Sequence, residues 1–198
     1  MPPGREIRAS YAPDTLTVYQ AFSPGIAKPA ARDGRFGAGF SMNRMTWIKP
    51  SFLWMMARSG WATKPGQERV LAVEMTRAGF EWALSRSCLS HFEAAFHASQ
   101  DEWTHQMASA PVRIQWDPER SLTLEKLPWR SIQVGLSGEA VQLYVTEWIV
   151  AIRDVTPVAR AIGAAVARGD LSAAGALLPH EAPLPLPAAV RRTIGLPD

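Results

Sequence analysis

Short β-branched runs, each cut off by a turn or a helix-start signal, succeed one another along this chain and leave few architectures open to it. Thr15 to Phe22 reads TLTVYQAF and stops at Ser23-Pro24. Such residues favour a strand, and proline suits the first position of a helix. That helix closes near Asp33-Gly34. Phe40 to Ile48 reads as a second strand, and Pro50 opens a helix that runs to Arg58 and ends at Gly60. After the turn residues Thr63-Lys64-Pro65-Gly66, Glu68 to Met75 alternates as a strand, and Thr76 can cap a helix through Leu84.

Ser90-His91-Phe92-Glu93 has the form of a capping box. Phe92, Phe96, Trp103 and Met107 follow at helical spacing, which predicts a long helix with its aromatic face inward. Val112 to Trp116 and Arg130 to Leu136 read as strands joined through an Asp117-Pro118 turn, with Ser121 to Leu127 unassigned. Val141 to Ile152 suits a helix, although Trp148 to Ile152 suits a strand equally. Thr156-Pro157 starts a helix, Gly169 stops it, and Asp170 caps a short helix from Leu171 to Leu178. The mixed order of strands and helices argues an α+β fold. The expectation is a single domain over residues 1–178, with a mixed or antiparallel sheet, flanking helices and a C-terminal helical hairpin. The proline-rich segment 179–198 reads as a strap or tail that adds little to the core.

Composition narrows the function. The 198 residues are 47 % hydrophobic, enough for one sizeable core. A net charge of +3 is too small for a polybasic protein, so an anionic partner must be met by local clustering. The single cysteine, Cys88, excludes a disulfide framework and a cysteine-rich zinc site, and suits a reducing compartment. The opening MPPGREIRAS has no apolar leader segment, and the most apolar internal run is broken by Lys49 and Pro50. A cytoplasmic chain without a membrane partner is the expectation.

The densest segment, RMTWIKPSFLWMMARSGW from Arg44 to Trp61, resembles the signature of the domain-of-unknown-function family numbered 4291. REIRASY, TVYQAF, QERVLAVEM, IQWDPER, RSIQVGL and EWIVAIRDVT are similar to further blocks of that family's pattern, in the same order. The resemblance covers most of the chain to about residue 165.

Candidate site residues cluster in the same segment. Arg44, Lys49, Arg58 and Lys64 interleave with Trp47, Trp54 and Trp61, placing phosphate donors beside flat stacking surfaces. That combination suits a nucleotide or a nucleic acid, although tryptophans also serve as core. Lys49-Pro50-Ser51 falls where a strand should feed a helix N-terminus, a position that favours anions. Gln20, beside Tyr19 in an apolar strand, needs a buried partner or a ligand, as do Gln115, Gln133 and Arg130. Among the carboxylates, Asp117 reads as a turn residue and Asp154 as a cap. Glu147, ahead of an apolar run, is the catalytic candidate. His97, Asp101 and His105 form a polar helical stripe, and no metal is expected. P-loop, nucleophile-elbow and zincin motifs are absent from the sequence.

A fainter similarity is to ADP-ribosyltransferases, which split NAD and pass ADP-ribose to an acceptor. It rests on Tyr19-Gln20, on Thr46 to Ser51 and on Glu147, with Gln20 standing where those enzymes usually carry Arg or His. The similarity implies NAD as cofactor and a nucleic-acid or protein acceptor. The nicotinamide would stack on Tyr19 or Trp47, and the pyrophosphate would rest on Arg44 and Lys49 near Thr46, Ser51 and Trp54. Glu147 would stabilise the ribosyl cation, with Gln20 beside it. A nucleotide or nucleic-acid binding module without chemistry is the alternative.

Overall fold

The computed structural model describes residues 4–196, so residues 1–3 and the last two positions of the 179–198 segment lie outside the described residues. In chain order come β1 (Arg8–Ala9), β2 (Thr15–Phe22), α1 (Pro24–Asp33), β3 (Thr46–Ile48) and α2 (Phe52–Ser59). Then follow β4 (Arg69–Thr76), α3 (Arg77–Ser85), β5 (Ser87–Leu89), α4 (Gln100–Ser109), β6 (Val112–Arg120) and β7 (Lys126–Leu136). The chain continues through α5 (Glu139–Leu143), a π-helical turn (Tyr144–Trp148), β8 (Ile149–Asp154), α6 (Thr156–Ala167), α7 (Leu171–Ala176), β9 (Ala182–Pro183) and α8 (Ala188–Thr193). The fold is α+β, as the alternation of elements predicts.

Two principal sheets carry it. One is antiparallel in the order β2-β4-β8, and the other runs β3-β7-β6-β5, with only β5 parallel to its neighbour. The sheets meet where β2 touches β3 through one isolated bridge. Tyr19 N donates to Lys49 O at 2.7 Å and Lys49 N donates to Tyr19 O at 3.3 Å. Beyond this bridge the strands separate, and a cleft opens between the sheets.

The first sheet is covered on both faces, which explains why β4 buries residues on each, Val70 on one and Leu71, Val73 and Met75 on the other. Leu71, Val73 and Met75 enter the main core with Val18, Phe80, Val134 and Tyr144. Val70 and Tyr19 enter a second cluster with Phe52 and Met56 of α2 and Ile162 of α6. Local signals act as expected at several ends. Ser51 accepts from Trp54 N, Thr76 from Gly79 N and Asp170 from Ala173 N, while Gly34 and Gly60 close their helices in the left-handed region.

Three tryptophans lie against glycines. A methyl group at Gly79 would fall 2.3 Å from the Trp148 ring, at Gly163 2.7 Å from Trp61, and at Gly135 2.9 Å from Trp47. The indoles use the missing Cβ atoms to approach the backbone, as close-packed interiors require. Trp61 and Ala62 hold φ of 57° and 61° directly after Gly60, a costly conformation that seats the Trp61 ring on α6.

Several expectations need correction. The strand predicted from Phe40 shortens to Thr46–Ile48, because only those residues find a partner, in β7. The long helix after Ser90 does not form. Ser87–Leu89 pairs with β6 and Ser90 N donates to Ile114 O, so Ser90 extends a ladder instead of capping a helix. The helix begins ten residues later at Gln100, buries no residue fully, and leaves Phe96 exposed before it. Asp117-Pro118 is a strand pair within β6. β5 covers only Val112–Ile114, so the missing proline N–H faces no strand. Trp148 to Ile152 divides between the π-helical turn and β8.

The 179–198 segment does add to the core. β9 pairs with β1, Leu184, Val190, Ile194 and Leu196 are buried, and Trp116 Nε1 donates to Ile194 O at 2.8 Å. Leu184 lies beside β9, Val190 and Ile194 fall one turn apart at α8, and Leu196 follows it, so no single amphipathic period runs through the segment. Among the described residues, no helix is long and apolar enough to cross a membrane.

Candidate functional site

The cleft between the separating sheets has a volume of about 820 Å³, within the size range of small-ligand sites. Its position follows from the sequence locally. Pro50 ends β3, and Ser51 turns the chain into α2, whose Trp54 and Arg58 sit one turn apart on the face that lines the cleft. Residues Arg44 to Trp47 supply the facing edge, and the polar residues of β6 and β7 supply the floor.

Lys49 is the unusual group. It is only 6 % exposed, and its Nζ lies 3.4 Å from Trp47 O, a long contact, and 5.1 Å from the Trp54 ring centroid. No carboxylate lies within ion-pair distance of it among the described residues. Burial, with the nearby Arg58 charge, lowers its pKa to about 7, and Asp117 partly opposes both. Arg44 and Arg58 are exposed at the cleft, and neither guanidinium makes a hydrogen bond or ion pair within the chain among the described residues.

On the floor, Asp117 Oδ2 accepts from Gln133 Nε2 at 2.6 Å and Oδ1 from Gln115 Nε2 at 3.3 Å. Burial raises the Asp117 pKa. Gln133, Arg130, Lys49 and Gln115 pull it back. A carboxylate gripped by two amides has little rotational freedom, which is a property that electrostatic stabilisation of a cation needs. The Trp47 ring lies over Gly135 beside this row and is half-buried.

The predicted residues divide. Arg44, Thr46, Trp47, Lys49, Trp54 and Gln20 line one cleft. Gln20 is fully engaged. Its Nε2 donates to Thr46 Oγ1 at 2.7 Å and Trp47 O at 3.2 Å, and its Oε1 accepts from Tyr144 Oη at 2.8 Å. It therefore fixes β2 against β3 and acts as a positioning residue. Tyr19 points to the other face of β2, edge-on to Phe52 at 5.3 Å, as alternation along a strand requires. Ser51 caps α2 and donates to Glu119 Oε1 at 2.9 Å, away from the cleft. Glu147 is exposed on the π-helical turn and does not line the cleft.

The carboxylate that lines the cleft is Asp117, not Glu147. The signal was the alternation of Arg113, Gln115 and Asp117 against Val112, Ile114 and Trp116, which puts three polar groups on one face of a continuing strand. Asp117-Pro118 masked it by resembling a turn.

Behind the cleft, Glu181 of the strap accepts from Phe52 N at 2.8 Å at the start of α2. Burial, with the nearby Glu119 charge, pushes its pKa up to about 8. Glu119 is also raised by burial.

The family described as a domain of unknown function, DUF4291, matches residues 6–184, and the chain belongs to this family. A search of curated proteins finds no match.

Proposed function

We propose that the cleft binds a nucleotide and that the protein is an ADP-ribosyltransferase-like enzyme using NAD, with Asp117 as its acting carboxylate. The observation that carries this reading is Asp117, held by Gln133 at 2.6 Å on the floor of a cleft rimmed by two indoles and by two guanidinium groups that are unpaired among the described residues. Trp47 and Trp54 offer stacking faces for a planar ring, and Arg44 and Arg58 offer fork-shaped donors for a pyrophosphate. The nicotinamide–ribose bond breaks with its electron pair leaving on the nicotinamide, which departs neutral. Positive charge then grows on the ribose ring, where the fixed Asp117 carboxylate stabilises it. An acceptor oxygen or nitrogen on a nucleic acid or protein closes on the same carbon and releases its proton to a base.

The test is release of nicotinamide from NAD by the wild type, by Asp117→Asn and by Glu147→Gln. The reading requires turnover by the wild type, a loss of ~10²-fold or more in Asp117→Asn, and little change in Glu147→Gln. Nicotinamide release unaffected by Asp117→Asn removes Asp117 from the mechanism.

A second reading is favoured by the amide row of Gln115 and Gln133 on the open sheet face. There the protein binds a nucleotide or single-stranded nucleic acid without chemistry. Tight binding with no nicotinamide release under any acceptor supports that module instead.

A further inference from the structure

The amine of Lys49 has an environment that neither stacking nor phosphate binding requires. It is buried at the cleft wall, has no carboxylate within ion-pair distance among the described residues, and makes the long 3.4 Å contact to Trp47 O while meeting the face of Trp54 at 5.1 Å. A cation meant only to hold phosphate gains from exposure or from a paired carboxylate, as a guanidinium does. Two permanent cations, Arg44 and Arg58, already serve the cleft. A desolvated lysine beside another cation is the arrangement that frees an amine lone pair for attack on carbon. Burial and the Arg58 charge both act in that direction here.

We propose that Lys49 forms an imine with the aldehyde carbon of a phosphorylated aldose, such as the open-chain form of ribose 5-phosphate or ADP-ribose. This rests on the reading of the cleft as a site for phosphorylated ribose ligands. The Nζ lone pair adds to the carbonyl carbon, and the Asp117 carboxylate passes one of the nitrogen's protons to the carbonyl oxygen, giving a carbinolamine. The remaining N–H proton then passes through Asp117 to the hydroxyl, which leaves as water, and a carbon–nitrogen double bond remains. Amine and aldehyde thus become imine and water, with no oxidant or reductant. Arg44 and Arg58 hold the phosphate end, and the Trp54 face limits where the Lys49 chain can swing.

The experiment incubates the full chain with ribose 5-phosphate and, separately, ADP-ribose at pH 7.5, adds cyanoborohydride as hydride donor, and maps the reduced adducts by peptide mass spectrometry. Lys28, Lys64 and Lys126 are exposed and serve as internal controls. The expected result is labelling of Lys49 roughly tenfold or more faster than these three, with no adduct at position 49 in Lys49→Arg and suppression by excess ADP. Labelling spread over the exposed lysines with Lys49 unmodified overturns the proposal, whatever nucleotide binding shows. Labelling of Lys49 that ADP does not suppress upholds the imine while removing the nucleotide reading.

Discussion

The Lys49 Nζ lies 5.1 Å from the centroid of the Trp54 ring, and this contact stands in place of an ion pair. The lysine follows β3 and the tryptophan lies in the first turn of α2, so a strand-to-helix junction brings a poorly solvated amine onto an aromatic face.

A pH dependence of binding follows. The free Lys49 has a pKa of about 7, and a bound phosphate raises it, so binding takes up a proton. Affinity for ADP or NAD is therefore full below about pH 7 and falls as pH rises toward the pKa of the bound state. Calorimetry between pH 6 and 9 in buffers of different ionisation enthalpy measures this uptake. Affinity flat across that range contradicts it.

Gly135 allows Trp47 to lie on the sheet. A methyl group there would sit 2.8 Å from Met45 Sδ and 2.9 Å from the Trp47 ring, so Gly135→Ala displaces both. The expected cost is about 1–3 kcal/mol of stability, together with weaker nucleotide binding, read by denaturant unfolding and by titration. Unchanged values show that the indole does not need its seat.

Glu181 gives stability its own pH dependence. Its pKa in the folded protein is about 8, against roughly 4.3 in an unfolded chain. The folded state thus binds more protons between these values, and this contribution is present at low pH and lost as pH rises toward 8. Lys49 acts oppositely, adding stability as pH rises from about 7. Glu181→Gln should flatten the decline between pH 5 and 7 in urea unfolding, and an undiminished slope places its origin elsewhere.

Ending the chain at residue 179 removes Leu184, Val190, Ile194 and Leu196 from the core and Glu181 from the start of α2. The truncated protein should lose its cooperative thermal transition, or melt at least several degrees lower. A native-like transition would show that the strap is dispensable.

Much of this was readable in the sequence where physical signals were local. Ser51, Thr76 and Asp170 cap the helices they precede, and β2 occupies the span its β-branched residues mark. The gathering of Arg44, Trp47, Lys49 and Trp54 into one cleft was readable for the same reason, since one strand-to-helix junction carries them. Tertiary pairing obscured the rest. Ser90 extends the β5 ladder toward Ile114 instead of capping a helix, and Pro118 lies in a strand because β5 ends short of it. Glu147 precedes a buried tryptophan yet faces outward, because the π-helical turn sets its direction. Gln20 needed a buried partner or a ligand, and the sequence could not show which, because its partners Thr46 and Tyr144 lie 26 and 124 residues away.

The most direct measurement of the central claim is calorimetric titration of NAD into the wild type and into the Arg44→Ala, Arg58→Ala double variant. Both side chains are exposed and make no hydrogen bond or ion pair among the described residues, so the melting temperature should stay nearly the same. The account predicts saturable binding to the wild type at one site and affinity weaker by roughly tenfold or more in the double variant. Equal affinity in the two proteins, or no binding to the wild type, would contradict it.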